Sequence, residues 1–153
     1  MTRSLNIEHE TVSVTFPGLL RFSDVGVLVL RLMVGVVFFD SGWQHLRHPA
    51  ARAQSIGASL AFTIVLGSAE VLGALGVATG VLVQLAAIGL ILLMLGTTWK
   101  KIVVWKIGFW GGRAYGWHYD LMLLVMNLVI LLTGGGRYVL ASVGEAATRG
   151  VLS

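Results

Sequence analysis

Four polar side chains interrupt apolar stretches that are long enough to cross a lipid bilayer: Arg31, Asp40, Glu70 and Asn127. A charge at the bilayer centre costs at least about 2.5–3.5 kcal/mol, so such a residue needs a proton, a partner or a polar interior. Ionisable residues in this position are functional candidates by default. We therefore predict that these four form an intramembrane polar cluster for ligand binding or proton handling.

Arg31 and Glu70 carry opposite charges on neighbouring apolar segments. A helical rise of about 1.5 Å per residue places them about 9 Å and about 14 Å from the same membrane surface. Both side chains are long enough to bridge that difference, so we predict an Arg31–Glu70 ion pair. Two interpretations stay open: the pair holds two helices together, or it is the polar part of a quinone, proton or ligand site.

A second polar group lies near the other ends of these segments, on the membrane side that we call side B: Gln44, His45, His118 and Asp120. Asp40 and Gln44 share a helix face by their i, i+4 spacing. We predict that these residues line a pocket on side B. His45 and His48 have a spacing that metal ligands use, but Pro49 ends the helix there, so no metal site is predicted.

The sequence TGGGRYVL, residues 133–140, closes the last apolar segment. Its glycines permit a sharp exit from a helix because they tolerate positive φ. We expect Arg137 to contact a lipid head group or to cap the helix end.

Membrane-spanning helices must position these side chains. The chain is 56% hydrophobic and 12% charged, whereas typical globular domains have about 25% charged residues. Four apolar runs approach the length of about 17–25 residues that a spanning helix needs: 25–46, 60–79, 81–98 and 118–135. We predict an all-α integral membrane four-helix bundle with both termini on one side, comprising a polar segment 1–24, a helical domain 25–140 and a tail 141–153.

The charged residues indicate where the chain lies. Its net charge of +4 comes from basic residues beside the spans, where head groups and topology explain them, so no nucleic-acid partner is predicted. Side B has more of these basic residues, which places it in the cytoplasm by the positive-inside rule. The expected location is the cell (inner) membrane, as a multi-pass protein.

The chain has no cysteine, which excludes its own disulfides, iron–sulfur ligation and c-type haem attachment.

All five tryptophans lie on side B or at its edge. Four of them belong to residues 99–120, WKKIVVWKIGFWGGRAYGWHYD, which combine aromatic residues, cations and glycines. Two placements stay open for this segment: along the membrane interface, or folded back into the protein as a re-entrant loop.

Three stretches together resemble the DoxX family of small four-helix membrane proteins: RLMVGVVFFDSGWQHL, SAEVLGALGVATGVLVQLAAI and GWHYDLMLLVMNLVILLTGGGRYVL. The resemblance covers roughly residues 23–140, and its anchors include Arg31, Gly42, Glu70 and Asp120. The TGGGRY ending replaces a proline-containing glycine turn that is common in the family. The resemblance implies the four-helix fold and a link to quinone chemistry, since related proteins are described as subunits of an archaeal thiosulfate:quinone oxidoreductase. It transfers no catalytic residue.

Our leading prediction is a membrane subunit of a quinone-linked oxidoreductase, with thiosulfate as the first donor to test. It would offer a quinone-accessible apolar surface beside the polar cluster, and it would bind no cofactor covalently. The expected partners are the lipid bilayer and either further copies of the chain or a redox subunit, because a chain of this composition needs external electron carriers. Two alternatives stay open: a non-catalytic membrane scaffold or assembly factor, and a carrier of small solutes or protons.

Overall fold

The computed structural model describes residues 16–112 and 116–140, and this part of the chain is all-helical. A 3-10 helix at Pro17–Phe22 leads into the first α-helix, and a π-helical turn at Lys100–Val104 prolongs the fourth. The α-helices are α1 (Ser23–Arg47), α2 (Pro49–Ile56), α3 (Leu60–Thr79), α4 (Val83–Trp99) and α5 (Trp117–Thr133). Residues 1–15 of the predicted polar segment 1–24, and the predicted tail 141–153, lie outside the described residues.

Three helical stretches are long and apolar enough to cross a bilayer: Pro17–Arg47, Leu60–Thr79 and Val83–Val104. The prediction of an all-helical membrane protein is therefore confirmed, although α5 is apolar over only 17 residues. Large apolar side chains are exposed on all three stretches and on α5, and they include Val36, Leu72, Leu85 and Leu132. Such a continuous apolar exterior is unfavourable in water and suits contact with lipid chains.

Helices α1 and α3 are antiparallel and approach closely at two glycines. A Cβ atom on Gly42 would lie 2.7 Å from the carbonyl oxygen of Gly67, and one on Gly67 would lie 2.7 Å from the Cβ of His45. Small residues let helix backbones pack this closely in membranes, where van der Waals contact rather than hydrophobic burial drives association. This contact sets the rotation of both helices and turns His45 toward α3.

The core lies between the four long helices, where α1 packs against α3 and α4 packs against α5. Its centre is formed by buried apolar side chains from all four: Val34, Phe38, Ala74, Val77, Ala87, Leu90, Leu123 and Ile130. Polar side chains are buried at both ends of this core, and they form the candidate site and an anchor at the opposite end.

Candidate functional site

Arg31 is fully buried and hydrogen-bonded to four backbone carbonyl groups. Its Nε donates to Val77 O at 2.7 Å and its Nη2 to Ala78 O at 2.9 Å, at the carboxyl end of α3. Its Nη1 donates to Gly135 O at 2.7 Å and to Tyr138 O at 2.6 Å, beyond the end of α5. One guanidinium thus ties three parts of the chain together on the side opposite to side B.

The predicted Arg31–Glu70 ion pair is wrong, because Arg31 lies beside residues 77–78 of α3. That is seven to eight residues from Glu70, or about 10–12 Å along the helix axis. The carboxyl end of a helix carries unpaired carbonyls and a partial negative charge, which stabilise a cation without a carboxylate. The turn between α3 and α4 has space for the guanidinium because residue 80 is a glycine. A Cβ on Gly80, whose φ is 83°, would lie 2.6 Å from Arg31 Nη2.

Arg137 lies in the same region, but its side chain is exposed and the carbonyls there are bound by Arg31. Its backbone N–H donates to Asp24 Oδ1 at 3.2 Å, which fastens the turn after α5 to the start of α1. Leu140 N–H donates to Thr79 O at 3.1 Å, which continues this attachment onto α3. A contact between the Arg137 side chain and a lipid head group stays a prediction.

Glu70 pairs with His45. The carboxylate is 3% exposed, and its Oε2 lies 3.0 Å from His45 Nδ1. The same nitrogen lies 2.9 Å from Ser41 O. Because a backbone carbonyl can only accept, Nδ1 carries the hydrogen and donates to both oxygens. Nε2 of His45 makes no hydrogen bond to any other described residue, so it is the ring atom that remains for a ligand.

A second buried pair joins α5 to the turn after α4. Lys101 Nζ donates to Asp120 Oδ1 at 2.9 Å, and both side chains are largely buried. Within the described residues, Asp120 Oδ2 is buried without a hydrogen-bond partner. Lys101 was not among the predicted site residues. The signal that could have found this pair is the acidic residue in the first turn of α5, which needs a cation at the facing end of α4.

Both pairs border a cavity of about 680 Å³ at the side-B end of the bundle. Its apolar wall includes Phe38, Leu66, Leu93 and Leu123. Five predicted site residues line this cavity: Asp40, Gln44, His45, Glu70 and Asp120. Other polar side chains that line it are Ser41, Thr97, Tyr119, Arg52, Lys100 and Lys101. The predicted pocket and part of the predicted polar cluster are therefore one site.

Besides Arg31 and Arg137, two predicted site residues do not line the cavity, namely His118 and Asn127. His118 Nδ1 donates to Phe109 O at 2.7 Å, because a backbone carbonyl can only accept, and its ring lies 5.4 Å from that of Trp110. Asn127 is fully buried about one turn beyond Leu123, and its Nδ2 donates to Leu123 O at 2.8 Å. His118 thus packs against aromatic side chains of residues 105–112, which we call the aromatic loop. Asn127 lies deeper in the bundle.

The cavity is also bordered by α2, through Arg52 and Ile56, and this helix was not predicted. Asp40 Oδ2 accepts from Gln44 Nε2 at 2.6 Å, and Gln44 Oε1 accepts from Arg52 of α2. Lys100 donates to the carbonyl of Ile56, the last residue of α2, and also lies over the Trp105 ring. Helix α2 is therefore fastened to α1 and to the end of α4.

The cavity therefore combines apolar side chains with two pairs of ionisable groups, His45–Glu70 and Lys101–Asp120. This combination is typical of small-molecule sites, where apolar walls surround a few polar groups. Within residues 16–112 and 116–140, no group of three or more His, Asp or Glu side chains is placed to hold a metal ion.

Comparisons with known proteins identify a matching family and a membrane-protein relative. The DoxX family model matches residues 26–103. The chain is 31% identical over 130 residues to the uncharacterised membrane protein Rv3486 of Mycobacterium tuberculosis, an alignment that covers 73% of this chain and 77% of that protein. No solved structure matches this chain significantly.

Proposed function

This chain belongs to the DoxX family, and from that premise we propose that it is the membrane subunit of a quinone-linked oxidoreductase. In this proposal the side-B cavity holds the quinone head group. The observation that carries the proposal is the His45–Glu70 pair, a buried imidazole and carboxylate on the wall of a cavity inside an apolar bundle.

The cavity suits a quinone in size and in chemistry. Its volume of about 680 Å³ is within the range of about 300–1,000 Å³ that is usual for small-molecule sites. A quinone ring is flat and apolar except for its carbonyl oxygens, which only accept hydrogen bonds. His45 Nε2 and Lys101 Nζ are the cavity-lining donors that we assign to those oxygens.

Reduction of a quinone to a hydroquinone takes two electrons and two protons. We propose that His45 delivers one of these protons through Nε2, since its other nitrogen is held by Glu70 and Ser41, and that solvent supplies the second. The negative Glu70 stabilises the charged imidazole before transfer. The electrons would come from a partner subunit or a soluble reductant, with thiosulfate as the first candidate. Two thiosulfate ions joined by a new sulfur–sulfur bond give tetrathionate and the required two electrons.

Binding of decylubiquinone to the full chain in lipid nanodiscs tests this proposal. We expect saturable binding that weakens about tenfold or more in His45→Leu, because one hydrogen bond to a charged donor contributes about 1.5–3 kcal/mol. His48→Leu is the matched control, since His48 is exposed and does not line the cavity. Equal binding by the two variants, or no saturable binding by the unmodified chain, would refute the proposal.

We further propose that the chain lies in the inner membrane, with α5 as the fourth span. Both chain ends then lie on one side of the membrane, and side B faces the cytoplasm. The natural chain has no cysteine, so single-cysteine variants report position cleanly. In right-side-out vesicles, a membrane-impermeant maleimide should label Arg137→Cys and leave Gln54→Cys unlabelled. Inside-out vesicles should reverse the result. Labelling of both positions from one side would contradict this topology.

A second candidate function is a non-catalytic membrane scaffold. The observation in its favour is the aromatic loop after α4, where Trp110 is 79% exposed and packs edge-on against Phe109. Exposed aromatic residues are preferred anchors in protein interfaces. In this case the cavity residues would serve only stability, and the loop would bind a partner subunit or another copy of the chain.

A further inference from the structure

Asp120 has an unsatisfied oxygen at the cavity. The residue is 5% exposed, its Oδ1 is occupied by Lys101, and its Oδ2 has no donor among the described residues. An ionised carboxylate oxygen can only accept a hydrogen bond, and leaving a buried acceptor unpaired is unfavourable. Because Asp120 lines the cavity, a hydroxyl group of a bound ligand can supply the missing donor.

The two redox forms of a quinone differ in this respect. A quinone carbonyl has no hydrogen to donate, and its oxygen is repelled by a carboxylate oxygen. A hydroquinone hydroxyl can donate to Asp120 Oδ2 and can still accept from a nitrogen donor. Once His45 has regained a proton from solvent, its Nε2–H can donate to either form. Asp120, whose Oδ2 is the buried carboxylate oxygen without a partner among the described residues, is the cavity group that we assign to distinguish them.

We infer that the cavity binds the hydroquinone more tightly than the quinone, with Asp120 as the specificity-determining residue; this inference rests on the proposed function. Tighter binding of the reduced form raises the reduction potential of the bound couple. For two electrons, a tenfold difference in affinity corresponds to about 30 mV. The bound quinone is then a better electron acceptor than the free quinone in the membrane.

Competition binding under anaerobic conditions tests this inference on the unmodified chain in nanodiscs. The experiment measures how much of each unlabelled competitor is needed to displace bound tritiated decylubiquinone. The three competitors are decylubiquinol, decylubiquinone, and decylubiquinol with both hydroxyls methylated. We expect the hydroquinone to displace the label at about tenfold or more lower concentration than the quinone. The methylated compound, which cannot donate, should lose that advantage.

Asp120→Asn and Asp24→Asn provide the matched protein comparison. Both remove one carboxylate, but Asp24 does not line the cavity, and an asparagine there keeps an oxygen that can accept from the Arg137 N–H. We expect Asp120→Asn to abolish the preference and Asp24→Asn to retain it. Equal affinities for the two redox forms, or a preference that survives methylation, would overturn the inference and leave the proposed function standing. Failure of every form to bind would overturn both. If Asp120→Asn does not fold, the methylated ligand still decides the question.

Discussion

Replacing Arg31 with methionine should destabilise the folded protein by about 3–5 kcal/mol, the range observed when one partner is removed from a buried charged network. Methionine fills much of the same space but donates no hydrogen bond, so the carbonyls of Val77, Ala78, Gly135 and Tyr138 lose the donor that they share. Arg31→Lys should recover only part of the loss, because an ammonium group cannot match the geometry of a planar guanidinium. Thermal unfolding in mild detergent, followed by tryptophan fluorescence, measures the effect.

Arg137→Met is the matched control for this substitution. It removes the same charge from the same end of the bundle, but the Arg137 side chain is exposed. We expect its unfolding temperature to stay close to that of the unmodified protein. If Arg31→Met were as stable as Arg137→Met, the four hydrogen bonds would not be the anchor that fastens the end of α3 to the segment after α5.

Glu70→Gln should lower quinone reduction by about a hundredfold, the lower end of what a general acid contributes. Glutamine keeps the shape of the side chain and an oxygen that accepts from His45, so packing and assembly should change little. It removes the negative charge that stabilises the imidazolium. Donor-dependent reduction of decylubiquinone by the complex isolated from native membranes, together with the amount of assembled complex, measures the two effects separately.

Asp40→Asn is the control, because it neutralises an exposed carboxylate at the same cavity. Its activity should stay within a few-fold of the unmodified complex. The comparison also separates the two candidate functions. A redox subunit with Glu70→Gln loses turnover while the complex stays intact, whereas a scaffold loses function only as far as assembly is lost.

Apolar run length predicted the long helices well. Residues 60–79 were predicted as one segment, and α3 has the same bounds because Ser59 caps its start and Gly80 ends it in a left-handed conformation. Helix α2 was missed because its eight residues contain no long apolar run. Its position depends on hydrogen bonds to Gln44 and Lys100, which only the folded chain brings together.

The sequence located the polar residues but assigned one partner wrongly. Counting residues from the membrane surface placed Arg31 and Glu70 at depths that differ by about 5 Å, whereas the register between α1 and α3 separates them by about 10–12 Å along the axis. Arg31, Gly42 and His45 share one face of α1, and all of that face turns toward α3. The close contact at Gly42 and Gly67 then fixes the register, which places His45 beside Glu70 and Arg31 beside the end of α3. Such a register depends on atomic packing that residue spacing does not contain.

Photolabelling with an azido derivative of decylubiquinone tests the central claim, that the side-B cavity holds a quinone head group. The full chain in nanodiscs is illuminated, digested and mapped by mass spectrometry. The account predicts label on the cavity-lining residues within 37–45 and 92–101, and excess unlabelled decylubiquinone should suppress it. Label confined to the outward apolar faces, unaffected by the competitor, would contradict the claim.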